Sequence, residues 1–248
     1  MAGGNVTDWE SRYSAGGSEV VGYDWYVDAS EFVSLVRPSL LNQDVEVLVP
    51  GCGTSTVPQA LVGAGFPNVT AVDSSQAAVE WNKRRRDDAG LLGDEERGPE
   101  YAVMDATDMG GDVPNETFDV AADKALLDAI LASGPDGERR AKKYASEMFR
   151  VLKRDGSLVV LSHGKPESRL PILQSPGFVV SVRQVAKPRV PGVGMGTSPY
   201  FHAYVCRKPG AAAVPLPDSS SPPQSSSRVP FADIRRFSGA VVPPKTWG

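Results

Sequence analysis

Four short apolar runs, each ending on a glycine pair or an aspartate, constrain this chain more than any other feature. Val45–Val49 runs into Pro50–Gly51–Cys52–Gly53, Val69–Val72 stops at Asp73, Tyr101–Met104 at Asp105, and Phe118–Ala122 at Asp123. Runs this short, rich in β-branched residues and bounded by turn formers, read as buried strands. Helical patterns lie between them. One covers Val57–Val62, with Pro58 in its first turn and Gly63 and Gly65 near its end; another follows Ser74 or Ser75, either of which can cap it. The clearest helix spans Glu138–Leu152, where Ala141, Tyr144, Ala145, Met148, Phe149 and Leu152 share a face and Asp155–Gly156 should end it. Ser157–Leu161 reads as a fifth strand, and Phe178–Val185 and Tyr200–Cys206 as two more, joined by a Gly/Pro-rich loop. This order predicts an α/β, Rossmann-like fold: a seven-stranded, mostly parallel sheet with an antiparallel C-terminal hairpin.

Composition divides the chain. Residues 1–44 form an N-terminal aromatic and helical arm, 45–208 the core, and 209–248 a Pro/Ser-rich tail too poor in apolar residues to offset its ordering entropy. Within the tail, Val229 to Val242 mixes Phe231, Ile234 and Phe237 with Arg235 and Arg236. A solvated tail is the expected reading, with docking on a partner the alternative. The net charge of -4 leaves only local basic clusters such as Lys83 to Arg86, so binding to long nucleic acid by counterion release is not expected. Cys52, Cys206, His163 and His202 are scattered, so neither a disulfide framework nor a metal site is expected. No apolar stretch approaches a membrane span and the N-terminus reads as neither signal nor transit peptide, so a cytoplasmic protein is expected.

In open α/β sheets, ligands bind beyond the carboxyl ends of the strands. Gly51 and Gly53 let the backbone turn sharply and approach a ligand closely. Asp73, some 20 residues on, lies where a carboxylate accepts both hydroxyls of a ribose. A nicotinamide dinucleotide fits this far. Two features then count against it: Thr56 stands where the dinucleotide fingerprint needs its third glycine, and Asp105 has no role there. A carboxylate after the third strand can instead accept the amino group of adenine, with the Ala106 N–H reaching a ring nitrogen. S-adenosylmethionine, with adenine, ribose and a sulfonium but no pyrophosphate, fits better. The alternative is that these acids merely cap helices and form turns.

The linked blocks Val49–Ser55, Val69–Ser75, Met104–Ala106 and Phe118–Ala129 resemble those of the eukaryotic lysine methyltransferases of elongation factor 1-alpha. Asp8–Tyr13, Tyr23–Tyr26 and Phe201–Cys206 are similar as well, so the likeness runs from about Thr7 to Lys208. It implies an S-adenosylmethionine-dependent protein-lysine methyltransferase. Trp9, Tyr13 and Trp25 would enclose the cofactor, with Gly51, Asp73, Ser74, Asp105, Ala106 and Lys124 lining its site. Thr54 departs from the family's polar residue, usually Asn, after the Gly-Cys-Gly, and the stretch from Lys165 to Gly177 is hard to align.

Bottom-up, the aromatic residues before the first strand suit a lid, since aromatic faces favour cations; packing on the sheet edge is the competing reading. A lysine acceptor must lose its proton to solvent or to a carboxylate, for which Asp123 or Asp128 is a candidate, although solvation on a helix surface is the preferred reading of Asp128. Lys124 is expected to meet the cofactor's carboxylate or to offer only its backbone; His163, after the fifth strand, could contact the acceptor, with a structural role the preferred reading. A monomer is assumed. The rival readings are a small-molecule methyltransferase, a non-catalytic cofactor-binding module, and an aminopropyltransferase, for which no acidic cluster suited to a polyamine is found.

Overall fold

The computed structural model describes residues 8–14, 22–88, 98–188 and 198–209. The expected tail beyond 209, with its Val229 to Val242 patch, and most of the Pro188 to Pro199 loop lie outside the described residues.

Two helices of the N-terminal arm, α1 (Trp9–Ser14) and α2 (Ala29–Val36), precede the sheet. The remaining elements are β1 (Val47–Pro50), α3 (Val57–Gly63), β2 (Val69–Asp73), α4 (Gln76–Asp88), β3 (Glu100–Val103), β4 (Phe118–Lys124), α5 (Leu126–Leu131), α6 (Gly137–Val151), β5 (Leu152–Ser162), α7 (Pro166–Leu173), β6 (Val179–Ala186) and β7 (Tyr200–Arg207). The seven strands lie in the order β3-β2-β1-β4-β5-β7-β6. The first five are mutually parallel, whereas β7 runs antiparallel to both β5 and β6. The mostly parallel sheet with an antiparallel C-terminal pair is therefore as expected.

Helices cover both faces, which is why the central strands read as continuous apolar runs rather than alternating ones. Side chains still alternate. Val47 and Val49 of β1 join a core with Phe32 and Val36 of α2 and Leu61 of α3. Leu48, between them, joins the opposite core with Leu127 of α5 and Tyr144 and Met148 of α6. Each such fully enclosed side chain contributes roughly 1.5–3 kcal/mol.

One boundary differs from the sequence expectation. Asp155–Gly156 does not terminate α6; the helix stops at Val151, and Leu152 already pairs with Phe118. Register then jumps to Val120–Ser157, so residues 153–156 form an irregular segment within β5. Gly156 permits this, because a Cβ there would lie 2.9 Å from the Lys153 carbonyl oxygen and 3.0 Å from that of Asp119. Burial of Leu152 in the α6 core overrides the local turn signal. Helix α7 was also not anticipated, since Pro166 and Pro171 interrupt its pattern; Pro166 sits in the first turn, where proline is tolerated.

Candidate functional site

The carboxyl ends of the parallel strands open into one cavity of 510 Å³, walled on its outer side by the N-terminal arm. Its floor begins after β1. Gly51 and Gly53 have φ of 59° and 49°, and an added Cβ would lie 2.5 Å from Leu126 Cδ1 or 2.6 Å from Tyr13 Oη. Asn82, fully buried on α4, donates to the Gly53 carbonyl at 2.6 Å and fixes the loop from behind.

Asp73 closes β2 with only 8% of its surface exposed. Its carboxylate accepts the Gly53 N–H at 2.8 Å and the Ser75 N–H at 2.9 Å. Burial raises its pKa, with the two amide donors opposing and Glu10 adding to the rise. Glu10 of α1 accepts from the Ser75 hydroxyl at 2.6 Å and from the Ala77 N–H, so the arm is pinned on the first turn of α4. Asp105, beyond β3, is more open: it accepts the Thr107 N–H at 2.8 Å and lies 3.8 Å from Arg140. Ser74 and Ala106 also line the cavity.

The arm supplies an aromatic wall. Trp9 and Tyr13 stack with centroids 6.0 Å apart, and the Arg12 guanidinium sits 5.3 Å from the Trp9 ring and 5.4 Å from that of Trp25. Lys124, at the end of β4, has a nearly buried ammonium that ion-pairs with Asp24. Asp24 also accepts from the Ser55 and Thr56 hydroxyls. Burial penalises the Asp24 charge, but these donors outweigh it and hold the carboxyl below its usual range. Burial likewise depresses the Lys124 pKa, opposed by Asp24. The Lys124 ammonium is thus committed to the arm.

At the far end of the cavity, under β4 and β5, the sequence reading missed a network. Asp128 of α5 is buried rather than solvated on a helix surface. Its Oδ1 receives the Ser162 hydroxyl at 2.5 Å and the Arg169 guanidinium at 2.7 and 3.0 Å. Its Oδ2 receives the Tyr26 hydroxyl at 2.7 Å and the His163 N–H at 2.9 Å, and lies 2.9 Å from His163 Nδ1. Burial alone would raise its pKa; Ser162, Tyr26, Arg169 and His163 reverse this and lower it. Tyr26 itself has φ of 71°, a left-handed conformation that costs a bulky residue about 1–3 kcal/mol. Its ring packs 4.7 Å from Phe201, and its hydroxyl lies 2.9 Å from His163 Nδ1. Tyr26 thereby links the arm, α5 and the residue that follows β5.

Asp123, expected as a base, does not reach this space. It is fully buried, does not line the cavity, and accepts the Leu126 and Leu127 N–H groups and the Tyr144 hydroxyl. These bonds cap α5, whose start at Ala125 has φ of 80°. Its carboxylate oxygens are engaged by the first turn of α5 and by Tyr144.

Residues 48–160 match the family model described as a methyltransferase domain. EEF1A lysine methyltransferase 4 of Mus musculus is 28% identical over 95% of this chain and 91% of its own length. The protein of the same name from Bos taurus is 29% identical over 82% of this chain and 75% of its length. Among solved structures, a protein from the conversion of a disulfide bond into a thioacetal group during echinomycin biosynthesis superposes with a TM-score of 0.58. It is 19% identical, covering 81% of this chain and 91% of that one, and shows the shared fold alone.

Proposed function

We propose that this chain, a class I S-adenosylmethionine-dependent methyltransferase, methylates a lysine side chain of a protein, and that elongation factor 1-alpha is the first substrate to test. The observation that carries the reading is the single cavity running from Asp73 and Asp105 to Tyr26 and His163, with likeness to the EEF1A lysine methyltransferases extending along both arm and core.

The residues present fit the cofactor. A Cβ at Gly51 or Gly53 would encroach on the neighbouring side chains, so the loop is shaped for close approach. Asp73 would hold the ribose and Asp105 the adenine, beside Ser74 and Ala106. When bound, S-adenosylmethionine supplies a methyl carbon made electrophilic by its sulfonium. The chain's own contribution is position and exclusion of water. Trp9, Tyr13 and Trp25 offer aromatic faces, which favour a cation without adding charge. Asp24 neutralises the Lys124 ammonium, so Lys124 would add no uncompensated positive charge beside a sulfonium, and the pair ties the arm across the cavity.

This reading makes the protein a monomeric, cytoplasmic enzyme whose partner is its protein substrate rather than nucleic acid or a membrane. Among the described residues, no helix is long and apolar enough to cross a membrane. The test is incubation with labelled S-adenosylmethionine and unmodified elongation factor 1-alpha, followed by mass spectrometry of its peptides. Methylation at one lysine, abolished in Asp73→Ala, is the expected result. Cofactor binding without transfer to any protein would refute it.

A further inference from the structure

We propose that His163 is the base that takes the proton from the acceptor ammonium, held for that task by Asp128 and Tyr26; the inference rests on the lysine reading above. Three observations carry it.

The first is position. His163 follows β5, on the opposite side of β1 from Asp73 and Asp105, yet lines the same cavity. With the nucleoside end assigned to the β1–β2–β3 side, the acceptor enters from the β4–β5 side. The His163 side chain is 58% exposed there, so a substrate amine has access to the ring.

The second is the state of the ring. Asp128 is ionised, paired with Arg169 from α7 and supplied with donors on both oxygens. An unprotonated Nδ1 at 2.9 Å from its Oδ2 would set lone pair against lone pair. Nδ1 therefore carries the hydrogen in the neutral ring and gives it to the Tyr26 oxygen at 2.9 Å, whose own hydrogen goes to Asp128 Oδ2 at 2.7 Å. Fixing one ring nitrogen in this way sets the role of the other. Nε2 is left with its lone pair, and it has no hydrogen bond among the described residues.

The third is elimination at this end of the cavity. Asp123 is enclosed, Asp128 has its oxygens occupied, Lys124 is paired with Asp24, and Tyr26 donates its proton to Asp128. The charged groups facing the ring are Asp128 and, behind it, Arg169.

The step balances. The ammonium N–H bond breaks and its proton passes to Nε2, giving an imidazolium stabilised by Asp128. The freed lone pair forms the N–C bond as the methyl–sulfur bond breaks, with that electron pair left on sulfur. The imidazolium then returns the proton to water at its exposed edge. Asp128 and Tyr26 are positioning residues and do not themselves touch the acceptor.

The experiment compares wild type, His163→Gln and Asp128→Asn, using elongation factor 1-alpha as acceptor and S-adenosylhomocysteine as a calorimetric probe. His163→Gln should bind S-adenosylhomocysteine as the wild type does and lose roughly 10²-fold in kcat at pH 7, within the range of general base catalysis. The deficit should shrink toward about pH 10, where lysine loses its own proton, and imidazole should rescue His163→Ala. A second readout needs no turnover: ¹⁵N NMR of the cofactor-free wild type should show neutral His163 as the Nδ1–H tautomer, a preference weakened in Asp128→Asn. An Nε2–H tautomer, a His163→Gln kcat at pH 7 within about twofold of wild type, far short of a general base's contribution, or a deficit independent of pH would each overturn the proposal. A wild type that transfers no methyl group to protein would remove the lysine reading and this inference with it.

Discussion

Replacing Asp123 by asparagine isolates one ionisation inside the core. The carboxyl is wholly enclosed, and burial raises its pKa from 3.8 to about 7 despite the bonds from Tyr144, Leu126 and Leu127. The folded protein therefore holds this proton more tightly than the unfolded chain. Its contribution is fully favourable below the unfolded value near 3.8 and is lost as pH rises through about 7. At about 1.36 kcal/mol per pH unit, raising the pH from 5 to 8 should cost the wild type about 3 kcal/mol from this group alone. Asparagine does not ionise, so that loss disappears. It also places an amide N–H₂ or a single oxygen where Asp123 Oδ2 meets the Leu127 N–H at 3.1 Å and Tyr144 Oη at 2.9 Å. A mismatched buried donor there costs about 1–3 kcal/mol at every pH. Asp123→Asn should thus be clearly less stable than wild type at pH 5 and close to it, or above it, at pH 8. Urea unfolding at the two pH values measures the change. Parallel pH dependences would show that the carboxyl is ionised in the fold and refute the reasoning.

Gly53→Ala should weaken S-adenosylhomocysteine binding by tenfold or more in calorimetry, since the new methyl meets Tyr13 Oη at 2.6 Å on a backbone with φ of 49°. Asp24→Asn leaves a buried ammonium unpaired and should destabilise the fold by about 3 kcal/mol, while Asp24→Asn/Lys124→Met recovers most of it; thermal melts decide, and additive losses would contradict the pairing. Tyr26→Phe removes a hydroxyl shared by Asp128 and His163 and should lower kcat about tenfold with S-adenosylhomocysteine affinity unchanged, so an unaffected kcat would count against the network.

The cofactor end of the cavity was legible because its information is local. Gly51, Asp73 and Asp105 each sit within a residue or two of the end of an apolar run, with Gly53 just beyond, and the strand pattern alone puts those ends side by side. The other end was not legible in the same way. Asp128 meets Tyr26 102 residues away, and Tyr26 meets His163 across 137. No spacing in the chain announces such pairs, and α5 has only six residues, too few for a periodic pattern to mark Asp128 as inward-facing. The enclosure of Asp123 was hidden for a related reason. An acid closing a strand looks the same in sequence whether it points outward to a ligand or back onto the next helix, and the left-handed turn at Ala125 decides the matter.

The placement of β7 between β5 and β6 imposes an order of events on a chain made from its N-terminus. The half of the cavity around Asp73 draws on β1 to β4, all available once residue 124 has been synthesised. The His163 corner must wait longer, because Tyr204 donates to the Gly164 carbonyl at 2.7 Å and Phe201 supports the Tyr26 ring. Until β7 arrives, β5 presents an unpaired edge and the histidine loop has no backing, a state open to mispairing. The emerging polypeptide thus completes the Asp73 end of its cavity well before the His163 end.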